Sequence, residues 1–313
     1  MGITFDGQVV IVTGAGQGLG RAYALELARR GAAVVVNDVG GLDGSDGPAA
    51  DAVVAAIEAD GGRAVASYDT VATPDGGRAI VATALDAFGT VDAVVHNAGV
   101  WRNVPFDEMT VDQLEPVLDV HLRGAFFVTQ PAWSVMSDKG YGRIVLTSSS
   151  AGAFGRESGA NYVSSKAAML GLGRALALEG AAHGILANCI LPIAPFGRKG
   201  PVRPELKNQV TSSGLPPEAA GPEQVAPMVA YLASRACTVT GEAFSAGGGR
   251  YARVFIGVAS GWLGPKGGCA TAEDIEAHLE DIEDRRDFAM PSSAWDELRD
   301  IGEAHARRDS AEF

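Results

Sequence analysis

The chain has little cysteine, a deficit of basic residues and no long apolar run, and each shortage removes a class of protein. Its only cysteines are Cys189, Cys237 and Cys269. They are odd in number, far apart and form no C-x-x-C pair. That pattern excludes a disulfide framework and a zinc site, and it fits a reducing compartment. No metal is expected. No run of about 18 or more apolar residues occurs, so no membrane-spanning helix and no membrane partner are expected. No charged-then-apolar leader opens the sequence, and Ala311-Glu312-Phe313 does not read as a peroxisomal address. The expected location is the cytoplasm. Lys and Arg number 25 against 38 Asp and Glu, a formal net charge of −13. A phosphate backbone demands clustered cations, so nucleic acid is an unsuitable partner.

What the chain does have is an ordinary globular composition, 47% apolar and 20% charged over 313 residues, enough for a deep α/β core. Short, mostly apolar runs at 8–13, 33–38, 63–67, 91–96, 143–147, 185–190 and 242–245 alternate with helical stretches. The first helix reads from 18 to 30 and the second from 48 to 60, with Pro48 in its first turn. Strands that are apolar throughout, with helices between them, are buried on both faces. The expectation is an α/β fold, a Rossmann-type doubly wound parallel sheet of about seven strands with helices on both faces. Ligands then bind beyond the carboxyl ends of the strands.

Three segments interrupt the alternation. Residues 40–47 form a Gly/Asp loop. Residues 192–217 hold five further prolines after Pro192 and read as a mobile loop or lid. The C-terminal stretch 251–313 carries seven Lys/Arg against fourteen Asp/Glu. It reads as a helical extension with a solvated helix at 271–287. That helix has Ile275, Leu279 and Ile282 on one stripe and a capping-box-like start at Thr271 and Asp274. Two parts are therefore expected: residues 1–250, carrying cofactor site and active site, and residues 251–313, packed on the core or on a neighbouring subunit.

Gly14, Gly18 and Gly20, in Thr13-Gly14-Ala15-Gly16-Gln17-Gly18-Leu19-Gly20, lie between the first strand and the first helix. Glycines there allow a tight turn and close approach of backbone to a pyrophosphate, which meets the positive end of the helix. Asp38 ends the second strand, 18 residues past Gly20. A carboxylate at that place accepts both ribose hydroxyls and repels a 2′-phosphate, and no Arg stands at 37–47, so NAD is expected over NADP. The plain alternative is an Asp that shapes the turn before Gly40-Gly41.

Tyr162 and Lys166 stand four apart on a helix-compatible segment and share a face. A phenol has a pKa of about 10 and is a poor base at neutral pH. A nearby ammonium favours the phenolate, which could then exchange a proton with an alcohol or carbonyl oxygen. Ser149 follows the strand 143–147 and could hydrogen-bond the same oxygen. A tyrosine and a lysine at this spacing are also a common surface pair; the glycine turn decides between the two readings.

The glycine turn, Asn97-Ala98-Gly99 after the fourth strand, Ser149 and Tyr162-x-x-x-Lys166 together resemble the short-chain dehydrogenase/reductase family, over residues 8–249. The resemblance implies an NAD-dependent oxidoreductase acting on CH–OH groups. It implies catalytic roles for Ser149, Tyr162 and Lys166. It implies cofactor contacts from Gly14, Gln17, Gly18, Leu19, Gly20, Asp38, Asp69, Asn97, Ala98, Gly99, Tyr162, Lys166, Pro192 and Ile193, and a nicotinamide-side segment that includes Asn188. Homodimers or homotetramers are usual in it. Within the family, Val36 to Gly41, Val120 to Gly124, Tyr141 to Ile144 and Gly261-Trp262 are similar to the dehydrogenase part of peroxisomal multifunctional enzyme type 2, which oxidises (3R)-hydroxyacyl-CoA. Related members act on 17β-hydroxysteroids. His121 stands where the family commonly has an Asn that supports a water relay to the lysine, and it serves either as relay or as packing. The usual Pro-Gly after the sixth strand is here Pro192-Ile193.

Arg198, Lys199, Arg203 and Lys207 stand against Glu205 alone in residues 197–207. Such a patch could meet the phosphates of CoA, or it is simply a solvated loop. The expected substrate is a small molecule, a 3-hydroxyacyl-CoA, with a hydroxysteroid or other secondary alcohol as the alternative. A non-catalytic dinucleotide sensor is the competing class; such a protein is expected to lack Ser149, Tyr162 or Lys166.

Overall fold

A computed structural model describes residues 2–40, 49–194, 214, 219 and 221–311. The chain divides into two compact units, Met1–Arg253 and Val254–Phe313.

The first unit is built on a sheet ordered β3-β2-β1-β4-β5-β6-β7-β8. Its strands are β1 (Val9–Thr13), β2 (Ala33–Asn37), β3 (Arg63–Ser67), β4 (Ala93–His96), β5 (Gly142–Thr147), β6 (Ile185–Pro192), β7 (Ala243–Gly247) and β8 (Arg250–Val254). The pairings from β3 through to β7 are parallel. Every residue of β1, β2 and β4 is buried, as a sheet covered on both faces requires. The doubly wound reading therefore holds. The eighth strand was not anticipated. A two-residue connection after Gly247 permits only an antiparallel return. Its sequence, Arg-Tyr-Ala-Arg-Val, is mostly exposed, and the two arginines break any apolar run in this edge strand.

Helices cover both faces. On one lie α1 (Gly18–Arg29), α2 (Ala49–Ala59) and α8 (Ala226–Ala233). There Tyr23, Leu27, Ile57, Val229 and Leu232 close over Val10, Val12, Val34 and Val36. The other face carries α3 (Pro74–Phe88), α5 (Gly124–Asp138) and α7 (Ala160–Gly180). α3 starts where Thr73 accepts a hydrogen bond from the Gly76 amide at 3.1 Å, and Pro74 occupies its first turn. Between these elements run α4 (Val111–Leu118), a π-helical turn (Asp119–Arg123) and α6 (Ser150–Phe154).

Strand order reverses between β1 and β4. Helices leave opposite faces at this point, so a crevice opens beyond the carboxyl ends of the two strands. The sequence motifs converge there.

The second unit contains β9 (Val258–Ala259) paired with β10 (Phe288–Ala289), α9 (Ala272–Ala277), α10 (Leu279–Ile282) and α11 (Ala294–Ala311). The single helix expected at 271–287 is two short ones. The box at Thr271 is present: Thr271 Oγ1 accepts from the Asp274 amide at 3.2 Å, and Asp274 accepts from the Thr271 amide at 2.9 Å. The backbone leaves the helix at His278 (φ −108°, ψ 17°). Beyond α10 the Arg286 amide donates to the Asp284 side chain at 3.0 Å, a local bond that competes with helix propagation. The Trp262 ring stacks on His278, with ring centres 4.1 Å apart. No helix among the described residues is long and apolar enough to cross a membrane.

Candidate active site

The glycine turn takes the expected shape. Gly14 and Gly18 adopt left-handed φ of 63° and 55°. Gly20 is sterically required, because a Cβ there would lie 2.1 Å from the Gly14 carbonyl oxygen and 2.7 Å from Asn97 Nδ2. Gln17, extended at the helix N-cap, and half-buried Leu19 follow the turn. The first turn of α1 holds no acidic side chain, so the positive end of the helix faces the crevice without a competing carboxylate.

Asp38 lies at the carboxyl end of β2, half-buried, and its carboxylate accepts from the Gly16 amide at 2.9 Å and the Gly40 amide at 3.0 Å. The turn-forming and ribose-binding readings are thus not exclusive, since each oxygen keeps a further lone pair. Asn37 is buried and donates to the Asp69 carbonyl at 2.8 Å, tying β2 to the segment after β3. The Asp69 side chain is exposed.

At the switch point, Thr13 Oγ1 accepts from the amides of Asn97 and Ala98, both at 3.0 Å, and lies 3.3 Å from His96 Nδ1. Two accepted bonds leave the hydroxyl proton for Nδ1, so Nε2 carries the ring proton and donates to the His121 carbonyl at 3.2 Å. Burial, with the Lys166 charge second, pushes His96 down to about 4, which keeps it neutral. Asn97 Nδ2 donates to the carbonyls of Thr13 and Gly14 at 3.1 and 3.0 Å. The resemblance points to Asn97, Ala98 and Gly99; Thr13 and His96, which bind them to the glycine turn, read in the sequence only as strand ends.

The reacting groups come from β5 and the helices after it. Ser149 caps α6, its Oγ accepting from the Ala151 amide at 3.2 Å. That leaves its O–H to donate. α6 rides directly on α7: a Cβ on Gly152 would lie 2.6 Å from the Lys166 carbonyl carbon. On α7, Lys166 is buried, donates from Nζ to the Thr147 carbonyl at 2.6 Å, and lies 5.8 Å from the Tyr162 ring centre. Burial lowers Lys166 to about 7. Tyr162 is half-buried, against Trp101 (ring centres 4.2 Å) and edge-on to His121 (5.4 Å). Asn161, which carries no sequence motif, accepts from the Tyr162 amide at 2.8 Å. Its Nδ2 donates to the carbonyls of Arg102 and Gln113 at 3.1 and 2.8 Å, pinning the start of α7.

His121 is buried on the π-helical turn, its Nε2 2.8 Å from the Val100 carbonyl oxygen and 3.1 Å from the Val100 amide. A Cβ on Gly99 would stand 2.6 Å from its Cε1. Pro192 ends β6 opposite Ala246, and the Ile193 amide donates to the Ala246 carbonyl at 2.8 Å. Asn188 lies within β6, not after it. Its amide serves the Val239 carbonyl and the Glu242 amide, so it holds β6 to the approach to β7. Arg198, Lys199, Arg203 and Lys207, and the 41–47 stretch of the Gly/Asp loop, lie outside the described residues. Among the described residues no cluster of His, Cys, Asp or Glu could hold a metal ion.

Comparison with known proteins agrees with the geometry. The family model of the short chain dehydrogenases matches residues 8–195. The chain is 41% identical over 307 residues to the peroxisomal multifunctional enzyme A of Dictyostelium discoideum, covering 96% of this chain and 66% of that one. The crystal structure of a short chain dehydrogenase from Mycobacterium avium superposes with a TM-score of 0.77 at 37% identity, covering 89% of this chain and 95% of that one. Full-length peroxisomal multifunctional enzyme type 2 from Drosophila melanogaster gives 0.79 at 30% identity, over 97% of this chain and 50% of that one. The chain thus spans about two-thirds of the Dictyostelium enzyme and half of the Drosophila one.

Proposed function

The chain belongs to the short chain dehydrogenase family of oxidoreductases, and from that premise we propose that it interconverts a secondary alcohol and a ketone with NAD(H), on a 3-hydroxyacyl-CoA. One observation carries the proposal: buried Lys166 lies 5.8 Å from the Tyr162 ring, with Ser149 on the adjoining helix α6. In the oxidising direction Tyr162 as phenolate takes the hydroxyl proton. Ser149 donates a hydrogen bond to the same oxygen, and an ammonium at Lys166 favours the phenolate. Bound NAD supplies the hydride acceptor. Two features support NAD in this cradle: Gly14 and Gly20 keep the turn tight, since a Cβ on either would collide with Ala98 or the Gly14 carbonyl, and Asp38 with no Arg at 37–47 suits a ribose without a 2′-phosphate. Gln17, Leu19, Asp69, Asn97, Pro192 and Ile193 complete the proposed cofactor contacts. His121, resting on Val100 and Tyr162, is proposed to hold the ring in place, with the water relay as its alternative.

Acyl-CoA as substrate rests on the likeness to multifunctional enzymes over 96–97% of this chain. A homodimer or homotetramer is proposed. The cytoplasm is the proposed compartment; the Dictyostelium and Drosophila enzymes named above are peroxisomal, and cell fractionation separates the two. NADH absorbance monitored with a (3R)-hydroxyacyl-CoA, the free hydroxy acid and a hydroxysteroid tests the substrate. Turnover of the thioester is expected; turnover of the steroid alone overturns it. Tyr162→Phe should keep NADH binding and lose turnover by on the order of a thousandfold or more. Retained activity would remove Tyr162 from the chemistry.

A further inference from the structure

A second cation stands beside Tyr162. Arg156, in the connection between α6 and α7, places its guanidinium carbon 4.5 Å from the Trp101 ring centre and 5.8 Å from the Tyr162 ring centre. The latter equals the distance from Lys166 Nζ to the same ring. Trp101 in turn lies tilted on Tyr162 at 4.2 Å. The three side chains form one half-buried cluster.

The local backbone is shaped around this guanidinium. Arg156 NH2 donates to Asn103 Oδ1 at 2.7 Å and reaches the Ser158 carbonyl at 3.5 Å. Ser158 has a φ of 53° and is the sole non-glycine residue with positive φ among the described residues. Left-handed backbone is a cost for an L-residue. Gly159 follows, and a Cβ on it would lie 2.6 Å from Arg156 NH2. A guanidinium on an indole face, with a side-chain acceptor at its edge, is held in place more firmly than a solvated surface arginine.

Its charge differs in kind from that of Lys166. Burial draws Lys166 towards neutrality at working pH, whereas a guanidinium stays charged. Titratable and charged groups that pack against the Tyr162 ring include Lys166 from its own helix, His121 from the π-helical turn and Arg156 from the preceding connection.

We propose that Arg156, held by Trp101, is a positioning residue that lowers the proton affinity of Tyr162 and so sets the pH range in which the enzyme oxidises its alcohol. The proposal rests on Tyr162 being the acid/base and adds a residue to that machinery. Removing the charge while keeping a hydrogen-bonding side chain should move the Tyr162 titration upward by about one pH unit, the size expected for a cation within roughly 6 Å of a phenol. Below the midpoint, oxidation then falls about tenfold, and above it the loss disappears.

The test is a pair of pH series on the full chain. One is kcat/KM for oxidation of (3R)-hydroxybutyryl-CoA by NAD. The other needs no substrate: the tyrosinate absorbance of Tyr162, taken as the difference between the protein and its Tyr162→Phe variant. Arg156→Gln should raise both midpoints by about one unit, and Arg156→Lys should restore them to within a few tenths. Trp101→Leu, which frees the guanidinium without changing charge, should shift them the same way by less. It also serves as the probe if Arg156→Gln does not fold. A uniform loss at every pH with unmoved midpoints overturns the proposal and leaves Arg156 a structural residue. Full activity in Tyr162→Phe instead overturns the acid/base reading on which it rests.

Discussion

Lys166→Met should stabilise the protein in acid while destroying its activity. Lys166 is 3% exposed, and burial brings it from 10.5 to about 7. Between these values the unfolded chain binds more protons than the folded one, so stability rises with pH across that window. Below about 7 both states are charged and the full cost of burying the ammonium is present. At 1.36 kcal/mol per tenfold change in proton affinity that cost is about 5 kcal/mol. Methionine is of similar length and removes the charge. It also removes the donor to the Thr147 carbonyl, 2.6 Å away, and an orphaned buried carbonyl costs about 1–3 kcal/mol. The net gain at pH 6 is therefore about 2–4 kcal/mol, or roughly 4–16 °C in Tm for a domain of this size. The gain should shrink as pH rises and reverse near pH 10, where the parent lysine is neutral and keeps its hydrogen bond. Calorimetric melts of both proteins from pH 6 to pH 10 decide it. A variant no more stable than the parent at pH 6, or a difference independent of pH, would refute the claim that burial governs Lys166.

Other changes test the cofactor side. Gly20→Ala puts a methyl 2.1 Å from the Gly14 carbonyl oxygen, so the turn must open. We expect a loss of about 1–3 kcal/mol in stability and weaker NADH binding by fluorescence titration; unchanged affinity would mean that the turn does not touch the cofactor. Asp38→Asn keeps an acceptor for the Gly16 amide, now 2.9 Å from the carboxylate, while removing the negative charge. The NADP to NAD ratio of kcat/KM should then rise by about tenfold or more, and an unchanged ratio would confine Asp38 to shaping the turn.

How much could be read from the chain depended on whether a residue's meaning is local. β3, at Arg63–Ser67, and the helix start at Gly18 were legible because apolar runs and glycines declare themselves over a few neighbours. Ser149, Tyr162 and Lys166 were legible through their spacing. β8 was not, because exposed Arg250 and Arg253 interrupt its apolar residues. α11 was passed over because its surface is laced with ion pairs such as Arg299–Asp296 and Arg307–Glu303, and little of it is apolar. The stretch 271–287 splits at His278, where the backbone leaves helical geometry, and its second helix ends short of 287, where a side-chain bond at Asp284 competes with it; neither has a sequence signature.

The polar residues that organise the site were the hardest to find, for a reason that applies beyond them. Thr13, His96 and Asn161 each bond to backbone far away in sequence: Thr13 to Asn97 and Ala98, His96 to His121, Asn161 to Gln113. None forms a motif, since the partner is a main-chain group that any residue supplies. Yet buried polar groups must be satisfied, and here their partners are the termini of the strands and turns that meet at the switch point. Thr13 and His96 join the glycine turn to the π-helical turn that holds His121 against Tyr162, and Asn161 fixes the entry of the helix that carries Tyr162 itself. The cofactor cradle and the acid/base are thus parts of one hydrogen-bonded frame, whose members could be found only once the sheet order had brought β1 beside β4.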